Sequence, residues 1–302
     1  MSEAPRADPA WDSFWRYDRL SSFHAAPGAA NYAAPIADGW RGFFQSLPDA
    51  ARIVDLCTGN GAIAVLAVES AAATGKQFDV TGADLAAIRP AAFVTNRRAA
   101  LEQVRFLANT PAEMLPMPDA TIDAIVSQYG IEYSDLARSI PEAVRILAPG
   151  GALRFAIHAA EGSVARDTVG AIADADFLLD LDLVGLAARS QAALDAFNAA
   201  LKAIADRVPA ATDRAMLANV HRTLCETFDH RRGDLVATAT HLHGEVIAHR
   251  RRQSALLSAA RSTNQMADLG SMLEALGLGA ITHGEQRDGA DLIGHVIEAV
   301  RS

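Results

Sequence analysis

Ile53-Val54-Asp55-Leu56-Cys57-Thr58-Gly59-Asn60-Gly61 is the stretch on which the reading of this chain turns. A short apolar run ends at Asp55, a glycine turn follows, and Ala62-Ile63-Ala64-Val65-Leu66-Ala67-Val68 continues with helical character. Strand, glycine turn and helix form the unit that brings bare backbone against a nucleotide-like ligand. Glycine supplies the positive φ and the close approach that such a turn needs. Asp55 at the strand end narrows the ligand further. A carboxylate there repels a pyrophosphate but accepts hydrogen bonds from a cationic, zwitterionic molecule.

Outward from this stretch, strand-like runs at 52–56, 78–83, 103–107, 122–127 and 152–157 alternate with helical patterns at 61–74, 86–99 and 135–147. Such alternation implies parallel strands joined by right-handed crossovers. Pro149-Gly150-Gly151 is expected to stop the last of these helices and turn the chain into the fifth strand. Near the C-terminus, Ala280–His283 and Asp291–Val300 are strand candidates with only a polar turn between them, so they should pair antiparallel. The expected fold is therefore α/β: a doubly wound, seven-stranded, mostly parallel sheet with a C-terminal antiparallel hairpin. A large helical insertion follows the fifth strand, with helical patterns at 167–186, 189–206, 212–228, 234–260 and 264–276. Placed there, it is expected to cap the carboxyl edge of the sheet. The expected division is an N-terminal helical extension at 1–48, a core at 49–158 and 278–302, and the cap at 159–277. Within the extension residues 1–10 read as frayed, and Pro27-Gly28 and Asn31-Tyr32 as a loop before a helix near 37–46. Trp11, Phe14, Trp15 and Leu20 recur at helical spacing; this helix covers the sheet edge, or Phe14, Tyr17 or Tyr32 forms a lid over a ligand.

The 53–61 stretch resembles the first motif of class I S-adenosylmethionine-dependent methyltransferases, hydrophobic-Asp/Glu-x-Gly-x-Gly-x-Gly, with Cys57 in the first glycine place and Gly59 and Gly61 in the others. Asp-Leu-Cys-Thr-Gly is also close to the glutamine methyltransferases of release factors, whose Asn-Pro-Pro-Tyr after the fourth strand this chain lacks. The terminal hairpin is similar to strands six and seven of the methyltransferase sheet. The resemblance covers roughly residues 50–158 and 278–300 and implies S-adenosylmethionine as cofactor, whose sulfonium and ammonium suit Asp55. It places Asp55, Cys57, Thr58, Gly59, Asn60 and Gly61 around the cofactor, Asp84 on its ribose hydroxyls and Leu85 against adenine. Asp84 could instead be only a helix N-cap. Asn109 to Asp119 looks like the Gly-Asp-Ala-Glu-x-Leu-Pro-Phe-Pro-Asp stretch of small-molecule methyltransferases, but Pro111 stands where the adenine-contacting aspartate would be. That contact falls to the backbone of Pro111 and Ala112 or to Glu113. After the fourth strand Ser127 and Gln128 should pass under the methionine part, and Tyr129, Glu132 and Tyr133 should point towards a methyl acceptor. The bland alternative packs Tyr133 and uses Glu132 to cap the next helix. His158, ending the fifth strand, could remove a proton from an acceptor hydroxyl or amine, or merely bond the cap.

Of 302 residues, 50% are hydrophobic, enough for one substantial core or a core with a smaller domain. A formal net charge of −9 disfavours nucleic acid and anionic membrane as partners. The two cysteines, Cys57 and Cys225, fit a reducing cytoplasm and not a disulfide framework. No signal peptide or membrane span is expected. His241, Glu245 and His249 share a helical face, and His221, Cys225, His230 and His243 lie near, yet no metal is expected. Arg250-Arg251-Arg252 reads as a solvated or subunit-facing run, or as a holder of an acidic substrate group, and the insertion is where a homodimer could form. The expected function is methyl transfer to a small O-, N- or C-nucleophile. The alternatives are a catalytically silent S-adenosylmethionine-binding protein and a protein or RNA methyltransferase. A nicotinamide dehydrogenase is disfavoured, because its three-glycine fingerprint is absent.

Overall fold

The computed structural model describes residues 8–22, 31–189, 194–229 and 234–302. Residues 1–7, Pro27-Gly28 and His230, singled out above, lie outside the described residues. The chain divides into two compact units, Met1–Ser163 with Ala259–Ser302, and Val164–Ser258.

In chain order the first unit carries α1 (Pro9–Phe14), α2 (Ala34–Ser46), β1 (Arg52–Leu56), α3 (Ala62–Thr74), β2 (Asp79–Ala83), α4 (Pro90–Phe93), α5 (Arg98–Leu101), β3 (Val104–Leu107), β4 (Ile122–Gln128), α6 (Leu136–Ile146) and β5 (Leu147–His158). The second unit follows with α7 (Ser163–Asp180), α8 (Leu183–Ala188), α9 (Leu194–Arg207), α10 (Arg214–Asp229) and α11 (Leu235–Ala259). The chain then returns to the first unit for α12 (Thr263–Ala275), β6 (Leu278–Asp288) and β7 (Asp291–Arg301).

The seven strands form one sheet in the order β3-β2-β1-β4-β5-β7-β6. Strands β1 to β5 pair parallel, and β7 runs antiparallel between β5 and β6. This is the expected sheet, hairpin included. Its centre is apolar on both faces: Ile53, Val54 and Leu56 of β1 and Ala124, Ile125 and Val126 of β4 are all buried. Such strands must be covered by helices on each side. α3 is buried almost all round because α2 packs on its outer side. After β1 the chain winds through β2 to β3, then returns to place β4 on the opposite flank of β1. Strand order therefore reverses between β1 and β4, where open α/β sheets take their ligands.

Several boundaries differ from the sequence expectation. The 86–99 pattern forms only the short α4 and α5, because Pro90 opens a new helix and Arg97 adopts φ 57°. The fifth strand begins at Leu147, and Pro149-Gly150-Gly151 lie inside it. There the pairing with β4 jumps from Ile122↔Leu147 to Ala124↔Ala152, an irregularity that absorbs the glycines. The 167–186 pattern breaks between α7 and α8, where Asp182 takes φ 46° and its carboxylate accepts from the Gly185 N–H. α12, assigned above to the insertion, belongs to the first unit, since Met266, Leu269 and Leu273 join Leu147, Leu153 and Ile297 in its core. The extension is likewise part of that unit, with Trp40 and Phe44 fully buried.

The second unit has a core of its own, built from Leu178, Phe197, Ile204, Leu217, Leu224 and Val246 among others. Its buried Asp174 accepts from Arg207 Nε at 2.9 Å and from the N–H groups of Thr212 and Asp213 at 2.8 and 3.0 Å. Where the chain leaves the first unit and re-enters it, the two segments are tied together: Arg261 N donates to the His158 carbonyl at 2.9 Å and Ala160 N to the Arg261 carbonyl at 3.0 Å. Among the described residues no helix is long and apolar enough to cross a membrane, and no three His, Cys, Asp or Glu side chains gather as metal ligands.

Candidate active site at the carboxyl edge of the sheet

The turn after β1 is held by its own glycines. Gly59 and Gly61 adopt φ of 54° and 89°, and a Cβ on Gly61 would stand 2.7 Å from the Phe106 ring. Asp55 is buried, and its Oδ2 accepts from Thr58 Oγ1 at 2.5 Å and from Ala64 N at 3.2 Å. Burial outweighs those bonds, with Asp84's charge adding to it, and pushes the Asp55 carboxyl up to about 7. Asp84, at the end of β2, accepts from Gly59 N at 2.7 Å and from Ala86 N at 2.8 Å. Burial raises it to about 6 against those two bonds. The acid is thus a local backbone cap and a clamp on the glycine turn at once. Cys57 adopts φ 54°, and burial together with Asp84, Glu132, Glu113 and Asp55 pushes its thiol well up.

A second cluster stands at the ends of β4 and β5. His158 is buried, and its Nδ1 lies 2.8 Å from Glu132 Oε1, which also accepts from the His158 N–H at 3.1 Å. Glu132 lies in a one-turn 3₁₀ segment, Ile131–Tyr133, and the next helix is capped instead by Asp135, whose Oδ1 accepts from Ala137 N. Glu132 is 2% exposed, and its Oε2 has no hydrogen-bond partner. The Tyr129 ring stacks on His158 at 4.1 Å between centroids, and the Tyr133 ring meets His158 edge-on at 6.3 Å. Desolvation and the Glu132 charge push both phenols well above the usual range.

Behind this cluster runs a buried polar chain. Trp40 Nε1 donates to Gln128 Oε1 at 2.6 Å, Gln128 Nε2 donates to Gln286 Oε1 at 2.8 Å, and the Tyr129 hydroxyl donates to the same oxygen. Tyr129 sits at φ 54° directly against Gly294 of β7, where a Cβ would be 2.7 Å from its ring. Ser127 Oγ accepts from Ile131 N at 3.0 Å and donates to the Leu56 carbonyl at 2.8 Å, tying the loop after β4 to β1.

The aromatic N-terminal segment lies on the first half of this edge. Asp12 accepts from Ala87 N at 2.8 Å, and Asn60 Nδ2 donates to the carbonyls of Trp15 and Arg19 at 3.1 and 2.7 Å. The Trp15 ring covers the bare face of Gly59, where a Cβ would collide with it. Trp15 also packs with Ala86 and Ile88 beside Phe106 and Ala108. Trp11 meets Tyr133 edge-on at 5.3 Å. Tyr32 lies nearby on the same unit: its hydroxyl is 3.1 Å from Ser22 Oγ, and burial pushes it up to about 12.

The other residues named from sequence fall as follows. Leu85 is half-buried, Pro111 is buried and Ala112 joins the core. Glu113 Oε1 accepts from the Asp135 N–H at 2.8 Å, so this acid already braces the start of α6. Sequence reading missed Gln286, Trp40, Gly294 and the covering role of Trp15. Gln286 is the buried polar residue in an otherwise exposed stretch of β6, a burial that the sequence does not mark.

Residues 53–151 match a family described as a methyltransferase domain. The demethylmenaquinone methyltransferase of Thermus thermophilus is 37% identical over 105 residues, 34% of this chain and 44% of that protein. An uncharacterized methyltransferase of Mycobacterium tuberculosis is 35% identical over 144 residues, 46% of this chain and 52% of its own. The chain thus spans about half the length of the curated relatives it matches. Among solved structures, 1,6-didemethyltoxoflavin-N1-methyltransferase of Burkholderia thailandensis, with 1,6-didemethyltoxoflavin and S-adenosylhomocysteine bound, aligns over 100% of this chain and 93% of its own at 13% identity and a TM-score of 0.46. Residues 53–151 are thus similar to a methyltransferase domain, and they contribute β1 to β4 and the start of β5 to the seven-stranded sheet.

Proposed function

We propose that this chain, carrying a class I methyltransferase domain, is an S-adenosylmethionine-dependent methyltransferase acting on a small molecule at the ends of β4 and β5. The observation that carries the reading is the pair of buried carboxylates, Asp55 and Asp84, flanking a positive-φ glycine turn at the switch in strand order. Among the described residues neither acid forms an ion pair with Lys or Arg. Two acids without a counter-charge suit a ligand that brings positive charge and a pair of hydroxyls. A carboxylate offers about four acceptor positions, so Asp84 can take both ribose hydroxyls while keeping its bonds to Gly59 and Ala86. Asn60 Oδ1, buried at the foot of the turn without a partner, is a further acceptor for an ammonium.

The cofactor supplies an electrophilic methyl carbon on a neutral leaving sulfur. The protein has to align the acceptor, exclude water and manage one proton. His158 is assigned the proton. Glu132 Oε1 faces Nδ1, which makes Nδ1–H the donor and assigns the role of base to Nε2. Tyr129 stacks on the ring and fixes its plane, and the Gln286 contact fixes Tyr129 in turn. Trp15, lying over Gly59, is assigned the role of a lid that must yield for the cofactor to reach the turn. The net charge of −9 favours a small acceptor over RNA.

Calorimetry tests the reading directly. S-adenosylhomocysteine should bind in the range of about 1 μM or tighter and NAD should not bind. Failure of S-adenosylhomocysteine to bind would remove the basis of the assignment.

A further inference from the structure

Glu132 divides its two oxygens unequally. Oε1 is doubly engaged by His158, through Nδ1 and through the main-chain N–H. Oε2 is buried and has no partner. A buried carboxylate oxygen left unpaired has lost its hydration without a replacement, so a ligand that donates to it gains the bond the fold does not supply. Among the described residues no Lys or Arg pairs with Glu132, Asp55, Asp84 or Glu113. The surroundings add to the preference. Tyr133 follows Glu132 directly, Tyr129 and Tyr133 both bear on the same imidazole, and Trp11 meets the Tyr133 ring. These rings surround the Glu132–His158 pair with apolar surface, which strengthens the attraction between the carboxylate and a cation.

We propose that Glu132 Oε2 is a subsite for the ammonium of the methyl acceptor, so that the substrate is a basic amine and the reaction N-methylation. This rests on the methyl-transfer reading and adds the acceptor class to it. An anionic acceptor would meet like charge at Glu132, a juxtaposition strongly disfavoured in a desolvated site. A neutral hydroxyl would fill the lone pair but leave the charge uncompensated. An ammonium does both.

The amine must lose a proton before it can attack, and the neighbour of Glu132 is the base. The acceptor R–NH3⁺ gives one proton to His158 Nε2. Its lone pair then forms the N–CH3 bond as the C–S bond breaks with its electron pair going to sulfur. The product leaves as the secondary ammonium, and His158 returns its proton to solvent. Glu132 thus holds the cation before transfer and stabilises the imidazolium during it.

The test uses the full chain saturated with S-adenosylhomocysteine and three probes of similar shape: 2-phenylethylamine, 2-phenylethanol and 3-phenylpropanoate. The amine should bind at least about tenfold tighter than the alcohol, and the acid more weakly than either. Glu132→Gln should bring amine and alcohol within about twofold while S-adenosylhomocysteine affinity also stays within about twofold. Equal or tighter binding of alcohol or acid by the native chain, or no amine binding below about 10 mM, overturns the proposal whether or not the variant folds. So does a Glu132→Gln protein that keeps the amine preference, or one that loses S-adenosylhomocysteine instead, since the carboxylate would then serve the cofactor. The cofactor titration separates this from failure of the underlying reading: a chain that binds no S-adenosylhomocysteine refutes methyl transfer, whereas one that binds it without an amine preference refutes only the subsite.

Discussion

The acids at the two ends of the ligand edge are held by different means. Asp55 and Asp84 receive the N–H groups of Ala64, Gly59 and Ala86, with one hydroxyl from Thr58. Glu132 is held by the His158 side chain as well as its N–H, and the ring stacked on that histidine is fixed by Gln286 from the far hairpin. A site made of backbone donors is indifferent to most side-chain changes and fails only where the chain path fails. A site made of side chains fails wherever any one of several partners is lost. The first end should therefore be brittle at its glycines, and the second at many positions.

The largest effect expected is at the second end. If His158 is the base, His158→Ala should lower kcat by about 10²-fold or more at neutral pH. A near-normal variant rate would show instead that both ends only bind. Next comes Gly294→Ala, where the new methyl would stand 2.7 Å from the Tyr129 ring and 2.8 Å from the Ile157 carbonyl. Overpacking of this kind costs about 1–3 kcal/mol, so the denaturant midpoint should fall and His158 should lose its stacking partner. Unchanged stability would mean that the second end is as forgiving as the first.

At the first end, Gly59→Val sets a β-branched residue at φ 54° against Trp15. S-adenosylhomocysteine affinity should drop by about 1.4 kcal/mol or more, a factor of ten, in a calorimetric titration. Thr58→Ala should cost less than that, because Asp55 keeps its backbone donor from Ala64. If Thr58→Ala proved the worse of the two, the backbone account of this end would be wrong.

A further difference concerns protons. Asp55 and Asp84 sit at about 7 and about 6 in the folded chain, above the ~3.9 of an unfolded aspartate. The folded state therefore binds protons more tightly than the unfolded one, and the ligand-free chain should lose stability as pH rises from about 4 to about 7. A cationic ligand beside Asp55 favours the carboxylate, so binding of S-adenosylmethionine near pH 6.5 should release a fraction of a proton. Titration in two buffers of different ionisation enthalpy reads this, and uptake instead of release would contradict it.

How much of this was legible follows the same division. The turn, Asp55 and Asp84 are written in contiguous sequence, because a glycine turn between strand and helix has a local grammar. Tyr129, Glu132 and His158 could be placed by their strand ends, but not as partners, since Glu132 and His158 are 26 residues apart and meet only when β4 and β5 pair. Gln286 lies 157 residues from Tyr129 and could not be found by spacing at all. Nor could the covering of Gly59 by Trp15, because the helical spacing at 11–20 is the same whether the aromatics face a core or a ligand edge. The 86–99 region misled for a local reason: its apolar period continued across Pro90, which restarts a helix without extending one.

The tie between Ala159 and Arg261 has a consequence for how such a chain can change over generations. Because the strand end and the returning chain are already hydrogen-bonded to each other, the sheet does not depend on what is strung between them. Closing a longer or shorter excursion alters the chain entropy only logarithmically, by about 0.6 kcal/mol per doubling of length. The segment Val164–Ser258, with a hydrophobic core of its own, therefore behaves as an exchangeable cassette. Its sequence can drift or be replaced wholesale while the β4–β5 edge, and the chemistry assigned to it, stays under separate selection.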